Sequence, residues 1–160
     1  MSAMTIRRFV AGDTDRVVEL SLAAWTPVFE SFHAVLGDDL YRRVHPDWQH
    51  DQAASVRDAL ERNDTWVAVD DGTAVGFVNV IFDQAERSGE IYMIAVDPAA
   101  QRRRVASRLT EHALDEMRAR GLDLATVATG GDPGHAPARR TYEKAGFVGC
   151  PQVWYAKLLA

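Results

Sequence analysis

The chain has 160 residues, 47% of them apolar and 26% charged, with 18 Lys and Arg against 23 Asp and Glu for a net charge of −5. About 150 residues bury about 70% of their unfolded surface, enough for one core without disulfides or structural metal, so a single domain over 1–160 is expected. The acidic balance argues against nucleic acid and anionic membranes as partners, and the lone Cys150 excludes an intrachain disulfide.

No Cys/His cluster has zinc spacing, so no metal is expected. No stretch reaches the roughly 18 apolar residues of a membrane span, and Met1 to Arg8 lacks the apolar core of a secretory leader. A cytoplasmic setting is the expectation. The positive charge is carried by 16 Arg and only 2 Lys, and Arg102, Arg103 and Arg104 stand together.

Thr5 to Val10 reads as an opening strand closed by Gly12. Asp13 or Thr14 then caps a helix that places Val17, Leu20 and Ala24 near one face. Pro27 marks a break or a new helical start. From Val28 to Arg62 the pattern predicts two or three short helices punctuated by Gly37 and Pro46, the last one capped by Asp47. Trp25, Phe29 and Phe32 share a helical face if the segment runs through Pro27. Packing in the core is the default reading of that face, and an aromatic wall beside the cleft is the other.

The period then changes. Thr65 to Val69 is β-rich, Asp71-Gly72 is a hairpin turn, and Ala74 to Phe82 resumes as a strand. Asp83 to Gly89 is a turn region and Glu90 to Val96 a third strand, stopped by Asp97-Pro98. Val105, Leu109, Ala113, Leu114 and Met117 recur at helical spacing up to Gly121. Leu122 to Ala128 follows as a strand, which makes a strand, helix, strand crossover. A Gly-rich loop leads into a helix over roughly His135 to Ala145, and Val153 to Leu158 is a candidate closing strand. The expected fold is a mixed α/β domain with a sheet of about six or seven strands flanked by helices.

A helix beginning near Arg103 to Ala106 directly after a strand offers unpaired backbone N–H groups and its positive dipole end, a geometry that binds phosphate. Gln101 and the three Arg add donors suited to phosphate oxygens. The plain alternative for that cluster is a solvated charge run.

Ile94-Ala95-Val96-Asp97-Pro98, Gln101-Arg102-Arg103-Arg104-Val105-Ala106 and His135 through Phe147 together resemble the signature segments of the GNAT N-acetyltransferase superfamily. The first helix-start motif of that family runs Gln/Arg-x-x-Gly-x-Gly/Ala, and a later one runs Asn-x-x-Ala, then Tyr-x-Lys-x-Gly-Phe. The resemblance implies acetyl-CoA as donor, held by Met93, Ile94, Ala95, Val96, Gln101, Arg102, Arg103, Arg104, Val105, Ala106, Ser107, His135, Ala138 and Arg139. It implies that the strand Glu90 to Val96 pairs with the pantetheine arm, and that an N–H at Met93 or Ile94 meets the thioester oxygen.

Tyr142 is then the expected general acid for the departing thiolate, and Glu90 the expected base, with His33, Asp47 and His135 as alternatives. Arg104 stands in place of the family's glycine and His135 in place of its Asn. The expectation at Arg104 is a helical backbone that adds a cation rather than a Cβ that crowds the phosphate. The acceptor is expected to be a primary amine on a small molecule or a protein. A non-catalytic CoA-binding sensor or interaction module is the alternative class, and the apolar run Val153 to Leu159 suits pairing across a homodimer.

Overall fold

The Asp71-Gly72 turn organises the sheet. Both residues take left-handed backbone angles, φ 46° and 77°, the pair that a tight hairpin turn needs. In a computed structural model describing residues 3–159, this turn joins β2 (Asp64–Asp70) to β3 (Thr73–Asp83). With β1 (Thr5–Arg8), β4 (Ser88–Val96) and β5 (Leu124–Val127) they form one five-stranded sheet in the order β1-β2-β3-β4-β5. The first three pairings are antiparallel and β4 with β5 is parallel.

Side-chain alternation along β2 and β3 divides the core between the two faces of the sheet. Ala68, Val78 and Val80 pack with Leu109, Ala113 and Met117 of α4 (Val105–Ala119). Val67 and Phe77 face the other way, onto Val17 and Leu20 of α1 (Thr14–Leu36) and Val56 of α3 (Trp48–Arg62). The short α2 (Asp38–Val44) connects those two helices, and α5 (Ala136–Lys144) follows the loop after β5.

One polar knot sits inside the second face. Asn79 is fully buried, and its amide donates to the Ala59 carbonyl (2.9 Å) and the Thr65 hydroxyl (2.8 Å) while its oxygen accepts from Asn63 Nδ2 (2.9 Å). Every hydrogen-bonding group of the amide except one lone pair is therefore used, which is what allows it to be buried. It fixes β3 against the end of α3.

The mixed α/β fold agrees with the sequence reading, and two details differ. The sheet has five strands among the described residues rather than six or seven, because Val153 to Leu158 forms no strand. Val153, Trp154 and Tyr155 are exposed there; apolar patterning gives a segment strand character but not a paired neighbour. Pro27 does not end its helix: α1 runs through it for 23 residues, held by burial of Val17, Leu20 and Val28 on either side of the lost hydrogen bond. Asp47 does cap α3, accepting the His50 N–H. The single domain expected over 1–160 includes Met1, Ser2 and Ala160, which lie outside the described residues.

Candidate functional site

β4 and β5 are paired only from Ser88–Ile91 to Leu124–Val127, yet β4 continues to Val96. Beyond that point the two strands part. The register of β4 on β3 also slips, with Asn79 opposite Met93 and Val80 opposite Ile91, so Tyr92 is an extra residue that bends the strand. The backbone of β4 that points away from β3 after Tyr92 therefore has no strand partner among the described residues. A cleft of about 520 Å³ opens beside this edge.

The floor of the cleft is Ile94, Ala95 and Val96, and one wall is the loop from Gln101 into α4. The first bond of that helix runs from the Arg108 N–H to the Arg104 carbonyl (3.0 Å), so the N–H groups of Val105, Ala106 and Ser107 have no acceptor within the helix. All three residues line the cleft, together with Arg102 and Arg104. Unpaired N–H groups, the helix dipole and two guanidinium groups meet at one place, which suits a phosphate or pyrophosphate.

Arg104 does not keep the helical backbone expected of it. It takes φ 61°, ψ 17°, and Arg102 takes φ 64°. Both are left-handed, the region glycine enters freely and other residues enter at a cost of about 1–2 kcal/mol. The chain thus follows the path of a glycine-bearing loop, with arginine accepting the strain. Asp97 braces its entrance: its carboxylate accepts the Ala99 N–H (2.8 Å) and pairs with Arg16 of α1, which also donates to the Ala74 carbonyl (3.0 Å). The Ala99 bond and the Arg16 guanidinium outweigh burial and hold the Asp97 carboxyl below the usual carboxylate range.

The opposite wall comes from α5 and the turn before it. Pro137, Ala138, Thr141 and Tyr142 share one helical face and line the cleft, with Gly134, His135 and Arg140. Tyr142 is only 7% exposed, and burial pushes its phenol up to about 12. Its hydroxyl forms no hydrogen bond among the described residues. His112 Nε2 is the one buried, unpartnered polar side-chain atom among the described residues, so the Tyr142 hydroxyl opens on the cleft. A phenol held protonated there is a proton donor at neutral pH.

Four of the residues singled out in the sequence do not line the cleft. Met93 packs against the α1 and α3 face of the core. Arg103 turns outward to Asp70 (2.7 Å), tying the loop to the β2–β3 hairpin. Arg139 donates to the Gly130 (2.6 Å) and Asp132 (2.8 Å) carbonyls and fastens the loop before α5. Glu90 pairs with Ile81 and Thr126 in the stretch where β4 and β5 are still joined. Among the alternative bases, Asp47 is occupied as a helix cap, and His33 stacks on Tyr41 and bonds Asp38 (2.6 Å).

The last side of the cleft is α1, through Ala24, Trp25, Pro27 and Val28. Sequence patterning did not single out Pro27, Val28, Arg140 or Thr141 as site residues, because each faces the cleft only once two distant helices are brought together. Past Val28, Phe29 stacks on Trp48 (4.2 Å between centroids) and Phe32 stacks on His45 (5.5 Å). These rings form a half-open aromatic layer rather than core. No group of three or more His, Cys, Asp or Glu among the described residues is placed to hold a metal ion. No helix among them is long and apolar enough to cross a membrane.

A sheet whose strands part over a phosphate-binding helix start, with a buried phenol on the facing helix, defines an acyl-CoA transferase type of cleft. Residues 26–147 match the model of the acetyltransferase (GNAT) family, and the chain belongs to that family. A mycothiol acetyltransferase of Sanguibacter keddieii is 40% identical over 155 residues, covering 91% of this chain and 44% of that protein. The chain thus spans less than half the length of this curated relative. Among solved structures, a putative GNAT acetyltransferase from Desulfovibrio desulfuricans superposes with a TM-score of 0.69 at 22% identity, covering 93% of this chain and 87% of that one. The PaiA N-acetyltransferase of Thermoplasma acidophilum, solved in complex with coenzyme A, superposes with a TM-score of 0.68 at 14% identity, covering 90% and 89%.

Proposed function

We propose that this protein transfers the acetyl group of acetyl-CoA directly to a primary amine. The observation that carries this reading is the cleft itself, which sets a helix start with free N–H groups and two arginines on one wall and the Tyr142 hydroxyl on the other. Pyrophosphate binds at Val105, Ala106 and Ser107 with Arg102 and Arg104. The pantetheine arm lies along the free edge of β4, and an N–H of that edge at Met93 or Ile94 stabilises the tetrahedral oxyanion. Gln101 and Ala138 complete the donor side, while Arg103 and Arg139 hold the loops that shape it.

The chemistry balances as follows. An ammonium acceptor first loses one proton to a base, and the free amine attacks the thioester carbon to form the C–N bond. The C–S bond then breaks, the amide nitrogen gives its second proton to solvent, the leaving thiolate takes a proton from Tyr142, and solvent returns a proton to the phenolate. Glu90, the carboxylate on β4 expected as base from the sequence, does not line the cleft. The acceptor is a small-molecule or protein amine met in the cytoplasm. The relative named mycothiol acetyltransferase supports including amines related to mycothiol in the panel to be tested. A homodimer through Val153–Leu159 is also proposed, and gel filtration tests it.

Calorimetry with CoA and thiol release from acetyl-CoA over an amine panel test the reading. CoA binding at micromolar concentrations, with amine-dependent thiol release that Tyr142→Phe suppresses, is the expected result. CoA binding without release for any amine favours a CoA-binding module, and no heat at millimolar CoA ends both readings.

A further inference from the structure

The loop between β5 and α5 carries a polar arrangement that donor binding does not require. His135 Nδ1 is hydrogen-bonded to Asp132 Oδ1. The other carboxylate oxygen of Asp132 accepts the Ser31 hydroxyl of α1 (2.7 Å) and the Gly134 N–H (3.1 Å), and Ser31 Oγ accepts the same N–H (3.0 Å). Burial alone would push the Asp132 carboxyl up, but the bonds from Ser31 and His135 hold it below the usual carboxylate range. An ionised carboxylate only accepts, so the proton of the neutral imidazole sits on Nδ1 and the lone pair on Nε2.

Nε2 has no protein partner and is not a sealed atom, since His112 Nε2 alone holds that status among the described residues. His135 lines the cleft, and its ring lies against Phe32 (5.6 Å) where the donor cleft meets the aromatic layer of α1 and α3. The loop is shaped to keep this pair in place. A Cβ on Gly130 would fall 2.4 Å from Asp132 Oδ1 and 2.5 Å from His135 Nδ1, and one on Gly134 would fall 2.7 Å from the Ser31 Cβ. Arg139 clamps the loop from below through two carbonyls.

We propose that His135, oriented by Asp132 and Ser31, is the general base that takes the proton from the acceptor ammonium through Nε2. This inference rests on the transferase reading above. The proton moves from the ammonium nitrogen to Nε2 before attack and leaves to solvent after product departs. Asp132 and Ser31 are positioning residues, because His135 lines the cleft and they do not. The charged and titratable groups around the imidazole are Asp132 on its own loop, Arg139 and Arg140 on α5, and His45 on the far side of Phe32. Tyr142, Arg102 and Arg104 stand along the cleft walls.

The test uses the full chain with acetyl-CoA and three amine probes, 2-phenylethylamine, spermidine and glucosamine, comparing wild type with His135→Gln, Asp132→Asn, Ser31→Ala and Tyr142→Phe. His135→Gln is expected to lower kcat about 10²-fold or more at neutral pH, the usual share of general base catalysis. It leaves KM for acetyl-CoA unchanged, moves the acid limb of the pH profile up to the range where the amine deprotonates unaided, and converges on wild type there. Asp132→Asn should show a smaller loss of the same kind, and Ser31→Ala the smallest.

If Tyr142→Phe suppresses turnover while His135→Gln keeps kcat and the acid limb, the base assignment alone falls. A His135→Gln effect confined to KM for acetyl-CoA makes the imidazole a donor contact and also overturns it. Equal losses in His135→Gln and Ser31→Ala, with an unchanged acid limb, mean a structural staple. If wild type binds CoA but turns over none of the probes, nitrogen NMR of the histidine-labelled protein decides. A neutral ring protonated at Nδ1 supports the proposal, and one protonated at Nε2 overturns it.

Discussion

Arg104→Gly separates two effects that meet in one residue. At φ 61°, ψ 17° the arginine sits where a Cβ costs about 1–2 kcal/mol. Glycine removes that cost, and its greater freedom in the unfolded chain returns about 0.4–1 kcal/mol, so the net gain is about 0.5–1 kcal/mol. For a chain of this length that gain raises Tm by about 1–4 °C. The same change removes one of the two guanidinium groups on the phosphate wall. A charge-assisted hydrogen bond contributes about 1.5–3 kcal/mol, and in an open cleft the lower end applies, so CoA affinity should fall about tenfold. Arg104→Lys keeps both the strain and the charge and should show neither change in full. Thermal unfolding without ligand and calorimetry with CoA measure the two effects separately. A glycine variant that binds CoA more tightly would refute the reasoning, because it would show that the Cβ crowds the phosphate.

Asn79→Ala strands the Ala59 carbonyl, the Thr65 hydroxyl and the Asn63 amide, and should cost about 2–4 kcal/mol in urea unfolding with CoA binding intact once folded; a loss under 1 kcal/mol would contradict the account of that knot. The carboxyls of Asp13, bonded by Arg7, and of Asp97, bonded by the Ala99 N–H and Arg16, are both held below their ordinary 3.8. Their stabilising contribution is complete above that value and is lost as pH falls through the lowered one, so the urea midpoint should decline below about pH 4 and not above about pH 5 on their account. Glu90→Gln should leave the acid limb of the rate profile in place, and loss of that limb would return the base to β4. Gly130→Ala should lower turnover by displacing the Asp132 and His135 side chains while CoA affinity holds; unchanged turnover would mean that the loop adapts freely.

The sequence was most informative where one residue type has one local use. Asp71-Gly72 announces its hairpin, Asp47 its helix cap, and Gln101 to Ala106 its helix start beside the cleft, since each depends on neighbours in the chain. Arg104 was harder, because a favourable helix former gives no sign that the path around it is left-handed. That path is set by the loop's need to leave β4 and start α4 within a few residues. Pro27 misled in the opposite sense: packing of α1 on both sides of it outweighs the one bond it removes. The closing strand was misread because alternation describes a segment's own side chains and says nothing of a partner edge. The Asp132, Ser31 and His135 group joins residues about one hundred positions apart, and no spacing rule reaches that far.

The two halves of α1 answer to different demands. Val17, Leu20 and Val28 anchor it in the core, yet between Phe29 and Ser55 not one residue is buried. That stretch owes its order to ring stacking among Phe29, Phe32, His45 and Trp48 and to its attachment at both ends. Its amides should exchange with solvent at a free energy well below that of the sheet, as a separate opening unit. Substitutions there carry little penalty in global stability, so a library built across residues 29–55 can redraw the aromatic layer beside the cleft while the cleft itself stays folded.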